Sequence, residues 1–172
     1  MTKEQLAARI RQAAYLEGDF LLRSGKRSRY YLDKYLLETT PDILAELGRR
    51  FGAFAGDVDL IAGPELGAVA LAAATSMETG KPFAIVRKAA KEYGTSKLIE
   101  GPPVASKRVL LVEDVGTTAG AALEAAKTLQ AAGATVVRIV FAIDRMEGAR
   151  ENVEAAGLEF QAIVNSHDLG IK

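Results

Sequence analysis

Apolar positions follow two rhythms along this chain, and the rhythms alternate. Short runs rich in β-branched residues at 58–62, Phe83–Val86, 109–112, 136–143 and 160–164 read as buried strands. Between them lie stretches of helical spacing: 67–77, then Ala121 onward until Gly133 stops it at the C′ position, then 147–156. Upstream, Thr40 and Pro41 form an N-cap and first-turn pair ahead of Ile43, Leu44, Leu47 and Phe51. At the start, Thr2 with Gln5 has the form of a capping box, and Leu6, Ile10 and Ala13 or Ala14 continue it as a helix over about 3–15. Two short strands, 20–23 and 29–33, flank a turn at Ser24-Gly25-Lys26.

This order predicts an α/β fold with a mainly parallel sheet, right-handed crossovers and helices on both faces. Residues 1–172 form one domain in this reading. Residues 1–37, the first helix and hairpin, contribute a small N-terminal hood lobe over the site. Ligands of such sheets bind at the carboxyl ends of strands. The last residues, 168–172, are expected to fray.

Composition narrows the chemistry. At 172 residues with 49% hydrophobic content, the chain can bury a real core, and disorder is not expected. Lys+Arg and Asp+Glu both number 22, so no general electrostatic pull on nucleic acid exists and any anion site must be built locally. Cysteine is absent, which excludes a thiol nucleophile, thiolate zinc sites and disulfides, and accords with a cytoplasmic setting. His167 is the only histidine and lies near the end, against a Ser-His-Asp machine. Lys3, Glu4 and Arg9 have no apolar run behind them, so a signal peptide is not expected. The apolar stretch 60–77 is broken by Pro64 and Glu65 and reads as strand and helix rather than a membrane span.

The densest chemistry lies in 109–123, VLLVEDVGTTAGAAL: strand, acidic pair, small-residue loop, helix. A loop opening a helix presents unpaired N–H groups at the positive end of the helix dipole, which suits a phosphate. Thr117 and Thr118 add hydroxyls, while Gly116 and Gly120 allow close backbone approach. Glu113 and Asp114 would repel that phosphate, and suit instead sugar hydroxyls or a hydrated magnesium ion beside it. A ribose 5-phosphate satisfies both ends. The same pattern also fits an ordinary strand ending in Asp with a Gly turn into a helix, and it is neither a Walker loop nor GxGxxG.

Four other places collect chemistry. Residues 87–97 carry four cations, Arg87, Lys88, Lys91 and Lys97, among Gly, Thr and Ser. They read as a solvated surface loop or as a lid closing over a polyphosphate. The hairpin holds Lys26 with the aromatic pair Tyr30-Tyr31, suited to an anion and a flat heterocycle; alternation would put one of the two tyrosines in the lobe's core. Asp144-Arg145 ends the strand 136–143, where an arginine can fork onto a carboxylate. Ala62-Gly63-Pro64-Glu65-Leu66-Gly67 is a strand-to-helix turn able to offer amides to a diphosphate.

Residues 109–123 closely resemble the phosphoribosyl-diphosphate (PRPP) motif of the type I phosphoribosyltransferases. RKAAKEYG, from Arg87, is similar to the flexible-loop signature of that family's orotate branch, Arg-Lys-x-x-Lys-x-His-Gly, with Tyr93 standing where histidine is common. LLRSGKRSRYYLD and Asp144-Arg145 resemble the same branch, so the likeness runs in order along nearly the whole chain.

The resemblance implies transfer of a 5-phosphoribosyl group from PRPP to orotate, giving orotidine 5′-monophosphate and diphosphate. Glu113 and Asp114 would hold the ribose hydroxyls, and Val115, Gly116, Thr117, Thr118, Ala119, Gly120 and Ala121 would wrap the 5′-phosphate. Here Ala119 and Ala121 occupy positions where the family often has a hydroxyl residue. Lys26, Arg87, Lys88, Lys91 and Tyr93 would meet the diphosphate, with Lys91 and Asp114 as the catalytic pair. Tyr30, Tyr31, Thr117 and Arg145 would bind orotate. Mg2+ would arrive on PRPP with no direct side-chain ligand, bridged at most through water to Glu113 and Asp114. The family habit further implies a homodimer whose lid reaches the neighbouring subunit's site. Two rivals stand beside this reading: the same transfer to a purine or uracil, and a non-catalytic PRPP or nucleotide sensor of the same fold.

Overall fold

The computed structural model describes residues 1–21, 25, 27–90 and 97–171. α1 (Lys3–Ala14) starts on a reciprocal capping box, with Gln5 N donating to Thr2 Oγ1 at 3.2 Å and Thr2 N to Gln5 Oε1 at 2.8 Å. β1 (Tyr15–Leu21) and β2 (Arg27–Leu32) pair antiparallel as a separate two-stranded sheet. α2 (Lys34–Glu38) and α3 (Pro41–Gly52) lead into the main sheet.

That sheet comprises β3 (Leu60–Pro64), β4 (Phe83–Val86), β5 (Ile99–Glu100), β6 (Arg108–Gly116), β7 (Thr135–Asp144) and β8 (Glu159–Asn165). Its order is β5-β4-β3-β6-β7-β8, parallel except for the antiparallel β4–β5 pair at the edge. α4 (Ala68–Thr79), α5 (Gly120–Ala131) and α6 (Ala149–Ala155) connect the parallel strands.

The central strands are apolar throughout because both their faces are covered. In β6, Leu110 and Val112 point into one core with Leu6 and Ile10 of α1, Ile43, Leu47 and Phe51 of α3, and Leu71 of α4. Val109 and Leu111 point the other way, onto Ala122, Ala126 and Leu129 of α5 and Val153 of α6. Each large side chain buried in this way stabilises the fold by about 2 kcal/mol. No helix among the described residues is long and apolar enough to cross a membrane.

Several boundaries differ from expectation. The first helix ends at Ala14, and Tyr15 is already extended and paired with Leu32. β1 thus begins before the expected 20–23, of which Leu22 and Arg23 lie outside the described residues. Its middle is solvent-exposed and interrupted by a register shift between Glu17 and Phe20, so no alternating apolar signal marks it.

Asp33 closes no strand; its Oδ1 accepts from Tyr35 N at 3.0 Å and caps α2, a helix that no apolar period announced. β3 is shifted two residues along from 58–62, because Gly63 and Pro64 stay in the sheet beside Ile85 and Val86. β6 runs on through Glu113 and Asp114 to Gly116. The tail is anchored rather than frayed: Leu169 and Ile171 are buried and Arg11 Nη1 donates to Leu169 O at 2.6 Å, while Lys172 lies outside the described residues.

Candidate active site

Between β3 and β6 the strand order reverses direction, since one connection leaves β3 toward β4 and the other arrives at β6 from that edge. Crevices form at such switch points beyond the carboxyl ends of the strands. A cavity of about 480 Å³ opens there. Its wall takes Lys34 and Tyr35 from α2, Pro64, Glu65, Leu66 and Gly67 after β3, and Val86, Arg87 and Lys88 after β4. Leu98, the end of β6 (Glu113, Asp114, Val115) and one face of α5 (Ala121, Glu124, Ala125, Thr128) complete it.

Both acidic residues are buried, with Asp114 3% and Glu113 7% exposed. As neighbours in a strand they point to opposite sides of the sheet. Asp114 turns toward α2, where Lys34 Nζ donates to its Oδ2 at 2.8 Å, while Val115 N donates to its Oδ1 at 2.5 Å. Glu113 Oε1 accepts from Asp114 N at 3.0 Å. Burial, and then the charge of Asp114, push the Glu113 carboxyl up to about 8.

Glu38, at the far end of α2, is buried too, and burial followed by the Asp114 charge pushes its carboxyl likewise to about 8. Burial alone would lower the Lys34 ammonium; the hydrogen bond and charge of Asp114 outweigh it and hold it above its ordinary value. Gly67 makes this crowding possible, because a Cβ there would collide with Asp114 Oδ2.

Beyond Gly116 the chain turns through Thr117, Thr118 and Ala119 into α5. Ala119 takes the left-handed conformation (φ 62°) as the N-cap, and the first amides of α5 have no partner within the helix. Asn152 Nδ2 donates to Thr118 O at 2.9 Å and braces the loop from α6's side. Gly116 has a packing role: a Cβ there would come within 2.9 Å of the Phe141 ring. At Gly120 a Cβ would meet only Thr118 Oγ1, at 3.8 Å, so that position is open.

The β6–β7 register sets Gly116 beside Asp144, and Arg145 N donates to Gly116 O at 2.8 Å. Arg145 therefore stands next to the threonine loop. Its Nη2 donates to Tyr30 Oη at 3.0 Å and lies 2.9 Å from Glu147 Oε1. Tyr30 is half-buried, with its ring stacked on Tyr15 at 5.5 Å between centroids. Tyr31 points the other way, exposed and tilted against Phe20. Among the described residues the cavity wall takes in neither these tyrosines nor Thr117, Thr118 or Arg145.

Of the expected cations, Arg87 and Lys88 line the cavity. Glu65 holds the start of their segment: its Oε1 accepts from Lys88 N at 2.7 Å, and Arg87 Nη1 lies 3.9 Å from its Oε2. Lys26, Lys91 and Tyr93 lie outside the described residues.

A family model described as a phosphoribosyl transferase domain matches residues 41–166. The chain is 44% identical to an orotate phosphoribosyltransferase of Natronomonas pharaonis over 98% of each protein. The chain belongs to the phosphoribosyl transferase family, on its orotate branch. Its fold superimposes on the orotate phosphoribosyltransferase of Mycobacterium tuberculosis H37Rv in complex with Fe(III) dicitrate with a TM-score of 0.90 and 34% identity, covering 98% of this chain and 99% of that one. The same Mycobacterium enzyme in complex with PRPP gives 0.85 and 32%, covering 98% and 99%.

For this phosphoribosyltransferase, the residues missed by sequence reasoning are Lys34, Glu38 and the Glu65 side chain. The available signal was the i, i+4 spacing of Lys34 and Glu38 after the cap residue Asp33.

Proposed function

We propose that this chain transfers the 5-phosphoribosyl group of PRPP to orotate, releasing diphosphate and giving orotidine 5′-monophosphate. The observation that carries this reading is the buried pair Glu113 and Asp114 at the wall of a switch-point cavity that Arg87 and Lys88 also line. The near full-length likeness to orotate phosphoribosyltransferases, one of them solved with PRPP, supports it.

In this proposal the whole chain, 1–172, works as one domain with 1–37 as its hood. Asp114 and Glu113 accept the ribose hydroxyls. The amides of 115–121, with the Thr117 and Thr118 hydroxyls, grip the 5′-phosphate. Lys26, Arg87, Lys88, Lys91 and Tyr93 surround the diphosphate. Breaking the C1–O bond to diphosphate leaves positive charge on the ribose, and a ring N–H nitrogen of orotate then bonds to C1 while its proton passes to the released diphosphate or to water. The residues position both reactants and receive the departing charge; none attacks covalently. Arg145 holds the orotate carboxylate, Thr117 lies beside it, and Tyr30 and Tyr31 border the ring.

Glu113 and Asp114 are the oxygen donors at the cavity wall that would hold, through its water shell, a divalent ion arriving with PRPP. Magnesium is the ion proposed, and when bound it neutralises diphosphate charge. The proposal includes a cytoplasmic homodimer in which Lys91 serves the partner's cavity. Sedimentation as a monomer at micromolar concentration, or recovery with membranes on fractionation, would remove the corresponding part.

The deciding experiment follows orotate absorbance with PRPP and magnesium. Loss of orotate matched by orotidine 5′-monophosphate is the expected result. Turnover with a purine or uracil in its place overturns the base assignment, and no turnover with any base replaces the enzyme with a sensor.

A further inference from the structure

The short helix α2 presses against the proposed pentose-binding carboxylate, yet no residue of α2 belongs to the motifs that brought the chain into its family. Lys34 and Glu38 are four residues apart, so they share one face of the helix. From one end of that face Lys34 Nζ reaches Asp114 Oδ2 at 2.8 Å. From the other, Glu38 is 5% exposed, and its Oε1 has no hydrogen-bond partner among the described residues. The bare backbone of Gly67 locates the two carboxyls relative to each other: an added Cβ would collide with Asp114 Oδ2 and come within 2.8 Å of Glu38 Oε1.

We propose that Lys34 and Glu38 are positioning residues that clamp Asp114 from α2 in the orientation that receives the pentose hydroxyls. This rests on the phosphoribosyl-transfer reading above. A lone aspartate can rotate about its two side-chain torsions. Here one oxygen is tied to Val115 N and the other to Lys34 Nζ, so the carboxylate plane is set. Each oxygen has two lone pairs and keeps one for a hydroxyl.

Glu38 lies beside Asp114 across the bare backbone of Gly67 and occupies space next to its carboxylate. Burial and the neighbouring Asp114 charge keep Glu38 neutral, so it sits beside Asp114 without repelling it. The Lys34 charge compensates the buried Asp114 carboxylate, while its half-exposed ammonium also faces the cavity.

The test measures PRPP affinity of the full chain by calorimetry with magnesium and without orotate, alongside the steady-state KM for each substrate. Lys34→Met should weaken PRPP binding and raise its KM about tenfold or more, as loss of a charge-assisted bond does. The KM for orotate should stay within about twofold, and Lys34→Arg should recover most of the loss. Glu38→Gln, which keeps shape without charge, should resemble the wild type, whereas Glu38→Ala should lose PRPP affinity severalfold.

Wild-type PRPP affinity in both Lys34→Met and Glu38→Ala overturns the clamp. So does an equal rise in both KM values accompanied by a lowered thermal midpoint, because that marks a merely structural role. A wild-type chain that binds PRPP in the calorimeter but leaves orotate untouched overturns the orotate reading alone, and the variants' affinities still decide the clamp.

Discussion

Arg145 reaches the site already oriented. Its backbone is tied to Gly116 O and its guanidinium to Tyr30 Oη, with Glu147 2.9 Å away. In the proposed base site, an incoming carboxylate would therefore meet a fork whose side-chain entropy has largely been spent, which favours affinity. Arg145→Ala should raise the KM for orotate about tenfold or more while leaving calorimetric PRPP affinity within about twofold. Arg145→Lys should not restore orotate use, because an ammonium cannot make the paired contact. An unchanged KM for orotate in Arg145→Ala would remove this residue from the base site.

At this scale the sequence was legible where a residue's chemistry sits in a local pattern. Glu113, Asp114 and the threonine loop are contiguous, and so are Asp144 and Arg145. Lys34 and Glu38 left only their i, i+4 spacing in the sequence, because their meaning comes from an eighty-residue separation between Lys34 and Asp114 that only the fold closes.

Elements obey packing more than propensity. α3 and α4 cross so closely that a Cβ on Gly48 would lie 2.9 Å from the Ala74 carbonyl carbon and its Cβ. Backbone cannot yield as a flexible side-chain tip can. Gly48→Val should therefore cost about 1–3 kcal/mol and lower the thermal midpoint by roughly 5 °C. Gly56→Ala, where nothing lies within 4 Å, should leave the midpoint nearly unchanged and serves as the control.

The same distinction explains which elements could be read beforehand. Phe83–Val86 and the α5 stop at Gly133, which has φ 90°, were evident because both faces of the sheet and the helix end leave composition signals. α2 and β5 were not evident. α2 has five residues and β5 two, and both owe their existence to partners elsewhere in the chain. Gly63 and Pro64 looked like a turn and are strand, since pairing with Ile85 and Val86 outweighs their poor strand propensity.

For the whole molecule, buried carboxyls set the response to pH. Glu113 and Glu38 titrate near 8 when folded against an ordinary value of 4.5. Between those values the folded chain keeps protons that the unfolded chain releases, so stability falls as pH rises through that window. Glu46 acts in the opposite sense. Arg49, then Arg50, hold its carboxyl down at about 2, so its contribution is present above 4.5 and is lost as pH falls toward 2. The thermal midpoint of the ligand-free protein should therefore be higher near pH 5 than at pH 8, and Glu38→Gln should flatten that decline. A midpoint that climbs steadily from pH 5 to 8 would contradict the burial of these two groups.

The antiparallel pairing of β4 with β5 reaches further than its two residues of contact. Val86 faces Ile99, and Arg87 N donates to Leu98 O at 2.7 Å, so the segment carrying Lys88, Lys91 and Tyr93 is tied off at its root on the outermost edge of the sheet. Insertions, deletions or recoding inside that tether stop at the knot and leave the register of the parallel strands untouched. The part of the protein proposed to meet the leaving group can thus be rewritten by selection or by design independently of the scaffold that keeps the chain folded.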